Sequence, residues 1–278
     1  MPETKNYVNL GVIEGRRPRD FVAGQLPYEI RLNSGNWKPF LPPGEWQKQN
    51  FVDTMACVTF SLLNCIETQE KFLTGNQINY SDRWIAMMSG TTHQGNFLPV
   101  VADTVRKYGL VREESWPSPS NFTWESYYEV PTSEKMASLK AEGVEWLKTH
   151  TLDYEWLGTD LITILKELKM CPLQIIRPGH AIEGFYEETE IMNYFDSYNP
   201  FEKSIERIEL TDALKPLLTL KKMSNAIFVH KTGTQEYGFY LPATSTESIR
   251  DKALNLGLTI EKADGSVDFS QAKEIKGL

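Results

Sequence analysis

Apolar and polar positions change their spacing about halfway along the chain. In residues 53–72 the apolar side chains recur every three to four residues, which predicts an amphipathic helix with Asp53 and Thr54 as N-cap residues. Similar spacing predicts four more helices, at 97–108 (ended by Gly109), near 133–149, at 158–170, and at 211–222 with Pro216 as a kink. Apart from the last, these helices precede the predicted strands.

The second half carries short runs rich in Ile, Val, Phe and Tyr, separated by Gly, Pro and charged residues. Runs of this kind predict strands of an antiparallel sheet. They fall at 173–177, 180–186, 191–198, 226–230 and 237–241. Helices first and strands later favour an α+β protein with two lobes, in which a site between the lobes would use both halves of the chain.

Three regions are predicted from composition and pattern. Residues 1–45 are rich in Gly, Pro and Arg and are expected to form an extended arm. Residues 46–243 carry the helices and strands and form the main domain. Residues 244–278 contain one amphipathic stretch, 245–256, followed by a polar tail.

Charge and composition narrow the class of protein. The 278 residues are 41% hydrophobic and 12% aromatic, enough for a large buried core, and the formal net charge is -8. An acidic chain is not attracted to nucleic acid or to anionic membranes, so neither is expected as a partner. The sequence also has no secretion signal pattern and no apolar run long enough for a membrane helix. We therefore expect a location in the cytoplasm or in a particle assembled there.

The three cysteines, Cys57, Cys65 and Cys171, fit neither a disulfide framework nor the paired spacing of a zinc site. No metal or cofactor is predicted. Cys57 differs from the other two because it lies in the first turn of a predicted helix, where the partial positive charge favours a thiolate. A lone cysteine on a helix is more often a small buried hydrophobic residue, and Cys65 and Cys171 are interpreted in that way.

His180 is the histidine whose context suggests chemistry. It follows a Pro-Gly turn and opens an apolar strand, and Asp196 stands sixteen residues later at the end of the next predicted strand. If the two strands pair antiparallel, the carboxylate can hold the imidazole and stabilise the imidazolium. A thiolate beside such an imidazole is an effective nucleophile.

Several segments then occur in the order of a known family. They are Gln47 and Gln49, Ala56–Ser61, Tyr80–Trp84, the glycines 90 and 95 with the following helix, Glu114–Pro117, His180–Ile182 and Asp196–Tyr198. Over about residues 46–241 this ordered set resembles the papain family of cysteine peptidases. The resemblance implies an α+β, two-lobed fold, with a helical N-terminal lobe whose central nucleophile helix packs on an antiparallel β-sheet or barrel lobe.

The resemblance also implies roles for individual residues. Cys57 would be the nucleophile, His180 its base and Asp196 the residue that orients His180. Either Gln49 or Gln47 would supply the oxyanion hole, and the spacing leaves that choice open. The substrate cleft would be lined by Gly95, Asn96, Phe97 and Trp116. The expected reaction is hydrolysis of a peptide or isopeptide bond in a protein or peptide substrate.

The chain also departs from the family pattern. Asp196 replaces the usual Asn, Tyr198 replaces the usual Trp, and the Cys-Gly-Ser-Cys-Trp motif and a long pro-region are absent. These departures resemble the divergent bacteriophage and bacterial relatives of the family. They predict a cytoplasmic or virion-associated protein, with other phage particle proteins as further partners.

Three alternatives stay open at this point. A transglutaminase-like acyl transferase would use the same Cys, His and Asp residue types. A structural protein of a phage particle could have the papain-like scaffold without turnover. In a plain soluble α+β protein, all three residues would be structural.

Overall fold

The computed structural model describes residues 10–13, 29–221, 224–232, 235–242 and 273–275, and the side chains of the first two ranges. The chain divides into two compact units, Met1–Thr219 and Leu220–Leu278. The predicted limits at residues 45 and 243 remain sequence-based divisions. The candidate chemistry lies in the first unit.

Within the described residues, six α-helices form the helical part of the first unit. They are α1 (Cys57–Thr74), α2 (Asp82–Met88), α3 (Leu98–Tyr108), α4 (Trp124–Tyr127), α5 (Ser133–Thr149) and α6 (Leu161–Glu167). The helices predicted at 97–108 and 133–149 match α3 and α5, whereas the one predicted at 158–170 is shorter. Among the described helices, none has the length and apolar character needed to cross a membrane.

The start of α1 corrects one prediction. The helix begins at Cys57 with Ala56 as its N-cap and no capping side chain, so Asp53 and Thr54 are not its N-cap residues. The Asp53 carboxylate instead accepts a hydrogen bond from the Met55 amide at 2.9 Å, and Met55 has a positive φ of 55°. The turn stabilised by Asp53 therefore delays the helix, and Cys57 becomes its first residue.

Two sheets are built from the strands of the first unit. Their strands are β1 (Lys48–Gln49), β2 (Val52–Asp53), β3 (His150–Leu157), β4 (Leu173–Arg177), β5 (His180–Glu188), β6 (Ile191–Phe195), β7 (Glu202–Glu206) and β8 (Asp212–Leu220). β1 and β2 form a short hairpin, and the other six form one sheet in the order β3-β8-β4-β5-β6-β7. β4 pairs antiparallel with both β5 and β8, and β6 pairs antiparallel with both β5 and β7.

The helix predicted at 211–222 is wrong, because this segment forms strand β8. Six consecutive residues of β8, from Ala213 to Leu218, are buried. A strand buried on both faces has a continuous apolar run, and periodicity alone cannot distinguish such a run from a buried helix. The charge of Lys215 within this run is met by the buried carboxylates of Glu155 and Glu167.

The second unit contains a separate antiparallel sheet with the strand order β10-β9-β11. These strands are β9 (Ser224–Thr232), β10 (Gln235–Pro242) and β11 (Lys273–Ile275). The strands predicted at 226–230 and 237–241 are confirmed as strands, but they pair in this sheet and not in the six-stranded one. The amphipathic stretch predicted at 245–256 lies outside the described residues.

Helix α1 is the centre of the first unit. Every residue from Cys57 to Glu70 is buried, because the helix is enclosed by α2 and α3 and by strand β5 of the sheet. Side chains alternate along the strands, so Ile176 and Ala181 join the core around α1 while Ile175 and Ile182 join the core on the opposite face. This packing fixes the N-terminus of α1 against the start of β5.

Candidate active site

Cys57 lies where the N-terminus of α1 meets the sheet. Its side chain is fully buried, and its Sγ accepts a hydrogen bond from the Ala181 amide at 3.4 Å. Ala181 follows His180 directly in β5, so the α1–β5 packing brings Cys57 next to the predicted base. The unpaired N–H groups of an 18-residue helix place partial positive charge at this end.

His180 and Asp196 form a buried hydrogen-bonded pair. The Nε2 of His180 lies 2.7 Å from Oδ1 of Asp196, and both side chains are 1% exposed. The predicted antiparallel pairing produces this contact, because β5 pairs with β6 and Asp196 follows the last residue of β6. The other ring nitrogen, Nδ1, has no hydrogen-bond partner within the described part of the chain.

Two further side chains hold this pair in place. The ring of Tyr198 meets the ring of His180 edge-on, with the centroids 5.4 Å apart. Nζ of Lys203, on β7, donates to Oδ2 of Asp196 at 2.7 Å. Burial alone would raise the pKa of Asp196, but the hydrogen bonds from His180 and Lys203 outweigh it and hold the pKa below its usual value.

The two candidate glutamines occupy different positions. Gln47 is fully buried, and its Nε2 donates to Oδ1 of Asp53 at 2.9 Å and to the carbonyl oxygen of Leu10 at 2.8 Å. Its Oε1 accepts a hydrogen bond from the Ser197 hydroxyl at 2.9 Å. Gln49 lies in the β1–β2 hairpin, half-buried and paired with Val52. Gln47 is therefore the glutamine connected to the loop that carries Asp196.

Asp53 connects the parts of this network. Besides Gln47 and the Met55 amide, its carboxylate accepts a hydrogen bond from the Tyr198 hydroxyl at 2.5 Å. The sequence suggested a helix cap for Asp53 and gave no sign of this role. Ser197 belongs to the Asp196–Tyr198 segment, but only the three-dimensional structure shows that its hydroxyl binds the Gln47 side chain.

Residues 10–13 of the N-terminal arm lie across the site. The Leu10 amide donates to the Gly179 carbonyl at 2.6 Å, the Asn96 amide donates to Gly11 at 2.9 Å, and the Ile13 amide donates to Asn96 at 2.8 Å. Val12 is 4% exposed and belongs to the same buried cluster as Cys57. The arm thus contacts both the helical part of the unit and the turn before His180.

Two glycines make this close approach possible. Gly11 has φ +114°, and a Cβ there would stand 2.0 Å from the Met55 carbonyl oxygen. Gly95 has φ +92°, and a Cβ there would stand 1.9 Å from the Gly11 carbonyl oxygen. Both the positive φ angles and the missing side chains are therefore required where the arm crosses.

The four predicted cleft residues fall into two groups. Gly95 and Asn96 contact the arm, and Phe97 is the half-buried N-cap residue of α3 immediately after them. The Arg83 guanidinium lies over the ring of Trp116, with its carbon atom Cζ 4.1 Å from the ring centre. A cleft-lining role for all four residues stays a prediction.

The electrostatics of Cys57 describe a protected thiol. Burial raises the pKa of the Cys57 thiol well above its usual value, and the Ala181 N–H lowers it only in part. The nearby carboxylates Asp53 and Asp196 raise this pKa further. These surroundings therefore favour the neutral thiol over the thiolate.

Comparisons with known proteins identify the fold. No protein-family model and no curated protein matches the sequence. Among solved structures, xylellain, a cysteine protease from Xylella fastidiosa, is similar with a TM-score of 0.52, 13% identity and coverage of 74% of this chain and 95% of that one. Digestive procathepsin L 3 of Tenebrio molitor larval midgut has a TM-score of 0.51 and 13% identity, over 76% of this chain and 77% of that one.

The proform of the ragweed pollen cysteine protease Amb a 11 is similar too, with a TM-score of 0.50 and 14% identity over 66% of this chain. The chain spans 65% of the length of that proform. At such low identities the likeness establishes the fold and not the activity. The chain has the papain-like α+β fold, which confirms the fold predicted from the ordered motifs, whereas the link to bacteriophage or bacterial relatives stays a prediction.

Proposed function

We propose that the protein is a cysteine peptidase that hydrolyses peptide or isopeptide bonds with Cys57, His180 and Asp196. One observation carries the proposal: in a papain-like fold, the buried His180–Asp196 pair stands beside a cysteine that is the first residue of the central helix. The papain-like fold alone hosts proteins without turnover, so the site and not the fold supports the activity.

The reaction proceeds in two steps. In the first, the unpartnered ring nitrogen of His180 takes the thiol proton, and the Cys57 sulfur attacks the substrate carbonyl carbon. The imidazolium then gives this proton to the leaving amine as the C–N bond breaks, which leaves a thioester. In the second step His180 removes a proton from water, and the hydroxide attacks the thioester carbonyl carbon. The C–S bond then breaks, the carboxylic acid product leaves, and the imidazolium returns the proton to the Cys57 sulfur.

The contacts favour Gln47 over Gln49 as the oxyanion donor. In the described structure, the Gln47 amide already donates to a peptide carbonyl oxygen, that of Leu10, at 2.8 Å. Asp53 and Ser197 fix the orientation of this amide, so it is preorganised for a carbonyl oxygen that gains negative charge. The backbone N–H of Cys57 at the helix N-terminus would be the second donor.

The way the arm binds supports a peptide as substrate. Residues 10–13 use backbone hydrogen bonds to Gly179 and Asn96, which are available to any extended peptide. A substrate must displace these residues to reach Cys57. Their removal also exposes the sulfur to water and so lowers the cost of forming the thiolate.

The test combines labelling and turnover in the full chain. An epoxide-type thiol inhibitor is expected to label Cys57, as located by mass spectrometry, and Cys57→Ala is expected to abolish hydrolysis of a peptide library. Cys65→Ala is the matched control, because Cys65 is equally buried in the same helix. Labelling of Cys65 or Cys171 with Cys57 untouched would sink the assignment.

A second variant separates an inactive protein from a covered one. Val12→Glu places a charge in the buried cluster beside Cys57 and is expected to displace residues 10–13 and to raise the hydrolysis rate. If neither protein hydrolyses peptides, the non-catalytic structural role is favoured. Release of ammonia on joining glutamine to an amine, without peptide cleavage, would favour the transglutaminase-like alternative.

A further inference from the structure

We infer that Lys203 is a positioning residue whose ammonium group balances the charge of Asp196, so that the Asp196–Lys203 pair holds His180 as a neutral amide would. The inference rests on the proposed function, because it concerns the same site. The geometry carries it: Asp196 is 1% exposed, and each carboxylate oxygen has its own cationic or ring partner, His180 on Oδ1 and Lys203 on Oδ2, both at 2.7 Å.

Lys203 is committed to Asp196 and not to the acids of its own strand. Its neighbour in β7, Glu202, is paired with Lys38 at 2.6 Å. The Lys203 side chain is only 22% exposed, whereas Lys38 is 59% exposed, so the Lys203 ammonium has left most of its water for the buried carboxylate. A buried ion pair with both carboxylate oxygens satisfied is the arrangement in which such a pair is retained.

The charges around the site show why a lysine ammonium group beside Asp196 is useful. Within the described residues, the titratable groups near Asp196 and Cys57 are His180 on β5, Lys203 on β7, Asp53 on β2, and the tyrosines 128, 194 and 198. Without Lys203 the two carboxylates would face one cysteine and one imidazole. Both carboxylates oppose formation of the Cys57 thiolate, and a negative charge beside an imidazole in general favours its protonated form.

With Lys203 present, the net charge of the Asp196–Lys203 pair is zero. The imidazole is then oriented by a hydrogen bond without an uncompensated negative charge beside it. In this way Asp196 can orient His180 without a net negative charge that would oppose formation of the Cys57 thiolate. The sequence pattern of β7 does not suggest this role, because an exposed lysine on an edge strand is an ordinary feature.

Four proteins test the inference through the pH profile of kcat/KM: the unmodified chain, Lys203→Met, Asp196→Asn, and the double variant. Lys203→Met leaves an unbalanced carboxylate, which disfavours the thiolate and favours the imidazolium, so both limbs of the profile should move to higher pH by roughly half to one unit. Asp196→Asn leaves an unbalanced ammonium and should move both limbs to lower pH. In the double variant both charges are gone, and the limbs should return close to their original positions.

Two controls distinguish charge from packing. Lys203→Arg keeps the charge and should keep both limbs in place. Lys38→Met removes a neighbouring lysine that is paired with Glu202, and it should leave both limbs unmoved. If Lys203→Met lowers the thermal stability but leaves both limbs in place, or if the limbs of the double variant do not return toward their original positions, Lys203 is a structural tether and the inference is wrong.

A readout without turnover separates this inference from the proposed function. The rate at which iodoacetamide alkylates Cys57 follows the thiolate fraction, and its pH dependence can be measured in the same four proteins. Absence of hydrolysis in the unmodified and Val12→Glu proteins would defeat the proposed function. Alkylation limbs that fail to show the opposite shifts and their cancellation would defeat the role of Lys203.

Discussion

Two buried histidine–carboxylate pairs lie at opposite ends of helix α1, and only one has the arrangement needed for chemistry. His180 and Asp196 meet at the helix N-terminus, 2.7 Å apart. His150 and Glu70 meet near the C-terminus of the same helix, with Nε2 and Oε1 3.4 Å apart and the side chains 12% and 4% exposed. Both pairs are within ion-pair distance, so distance and burial alone do not distinguish them.

The second ring nitrogen distinguishes the two histidines. Nδ1 of His150 lies 2.7 Å from the Thr149 hydroxyl and 3.1 Å from the Trp146 carbonyl, and the ring stacks on the Trp146 ring at 4.6 Å. Both ring nitrogens of His150 are therefore engaged in structural contacts. Nδ1 of His180 has no such partner within the described residues, and the amide of the next residue, Ala181, donates to the Cys57 sulfur. A histidine with one ring nitrogen held and the other available can accept a proton, whereas one with both held cannot.

The largest effect is expected when each histidine is replaced by alanine. His180→Ala should reduce kcat/KM for a peptide substrate by about 10³-fold or more, because the base and acid of both steps is lost. His150→Ala should leave kcat/KM within about threefold of the original value, since its role is structural. The measurement is steady-state hydrolysis of a fluorogenic peptide. Equal losses in the two variants would remove the distinction drawn from the ring nitrogens.

Of the two candidate oxyanion donors, only Gln47 is expected to be important for catalysis. Gln47→Ala should lower kcat by about 10²–10³-fold, because it removes the preorganised amide donor proposed for the oxyanion. Gln49→Ala is the matched control in the same hairpin region and should change kcat by no more than about twofold. A larger loss for Gln49→Ala, measured with the same peptide, would reverse the choice between the two glutamines.

A third buried carboxyl, Glu183 in strand β5, extends the comparison to an acid without a histidine beside it. Burial raises the pKa of Glu183 to about 8, and a hydrogen bond with Thr68 offsets this only in part. The pKa of Glu183 is higher in the folded protein than in the unfolded chain. The protonated carboxyl therefore contributes fully to the free energy of unfolding below pH ~4.3, and this contribution is lost as the pH rises through about 8. Glu183→Gln should remove this dependence.

The difference between the two proteins is a pH-dependent free energy of unfolding. Between pH 5 and pH 8 the unmodified protein should lose on the order of 2–4 kcal/mol more than Glu183→Gln. Urea unfolding at the two pH values measures this loss. Parallel changes in both proteins would show that Glu183 does not titrate in this range.

The smallest effect is expected at the structural histidine pair. The Tyr80 hydroxyl accepts a hydrogen bond from Trp146 at 3.0 Å and donates one to Glu70 at 2.5 Å. Tyr80→Phe removes the hydrogen bonds to the Trp146 N–H and to Oε2 of Glu70, and it should lower the free energy of unfolding by about 1–3 kcal/mol. Peptide hydrolysis should be unchanged. A loss of activity at unchanged stability would place this pair in the chemistry after all.

Much of the framework was predictable because it rests on local pattern. The helices at 97–108 and 133–149, the strands from 173 to 195 and the papain-like fold follow from periodicity and from the order of short motifs. The errors lie where local pattern is ambiguous. Strand β8 has a run of buried, largely apolar residues, and such a run is typical of either a buried strand or a buried helix. Asp53 has the residue type of an N-cap, although it stabilises the turn before the helix.

The sequence by itself determined which side chains could do chemistry here: one cysteine at a helix start, one histidine at the opening of a strand, and one aspartate at the end of the next strand. These are short-range features, and the antiparallel pairing of neighbouring strands brings the last two together. Only the tertiary structure decided that Gln47 and not Gln49 contacts Leu10, that Lys203 shares Asp196 with His180, and that Val12 packs in the buried cluster that contains Cys57. Each of these depends on contacts between segments that are distant in the chain or on neighbouring strands, and the spacing of residues carries no record of such contacts.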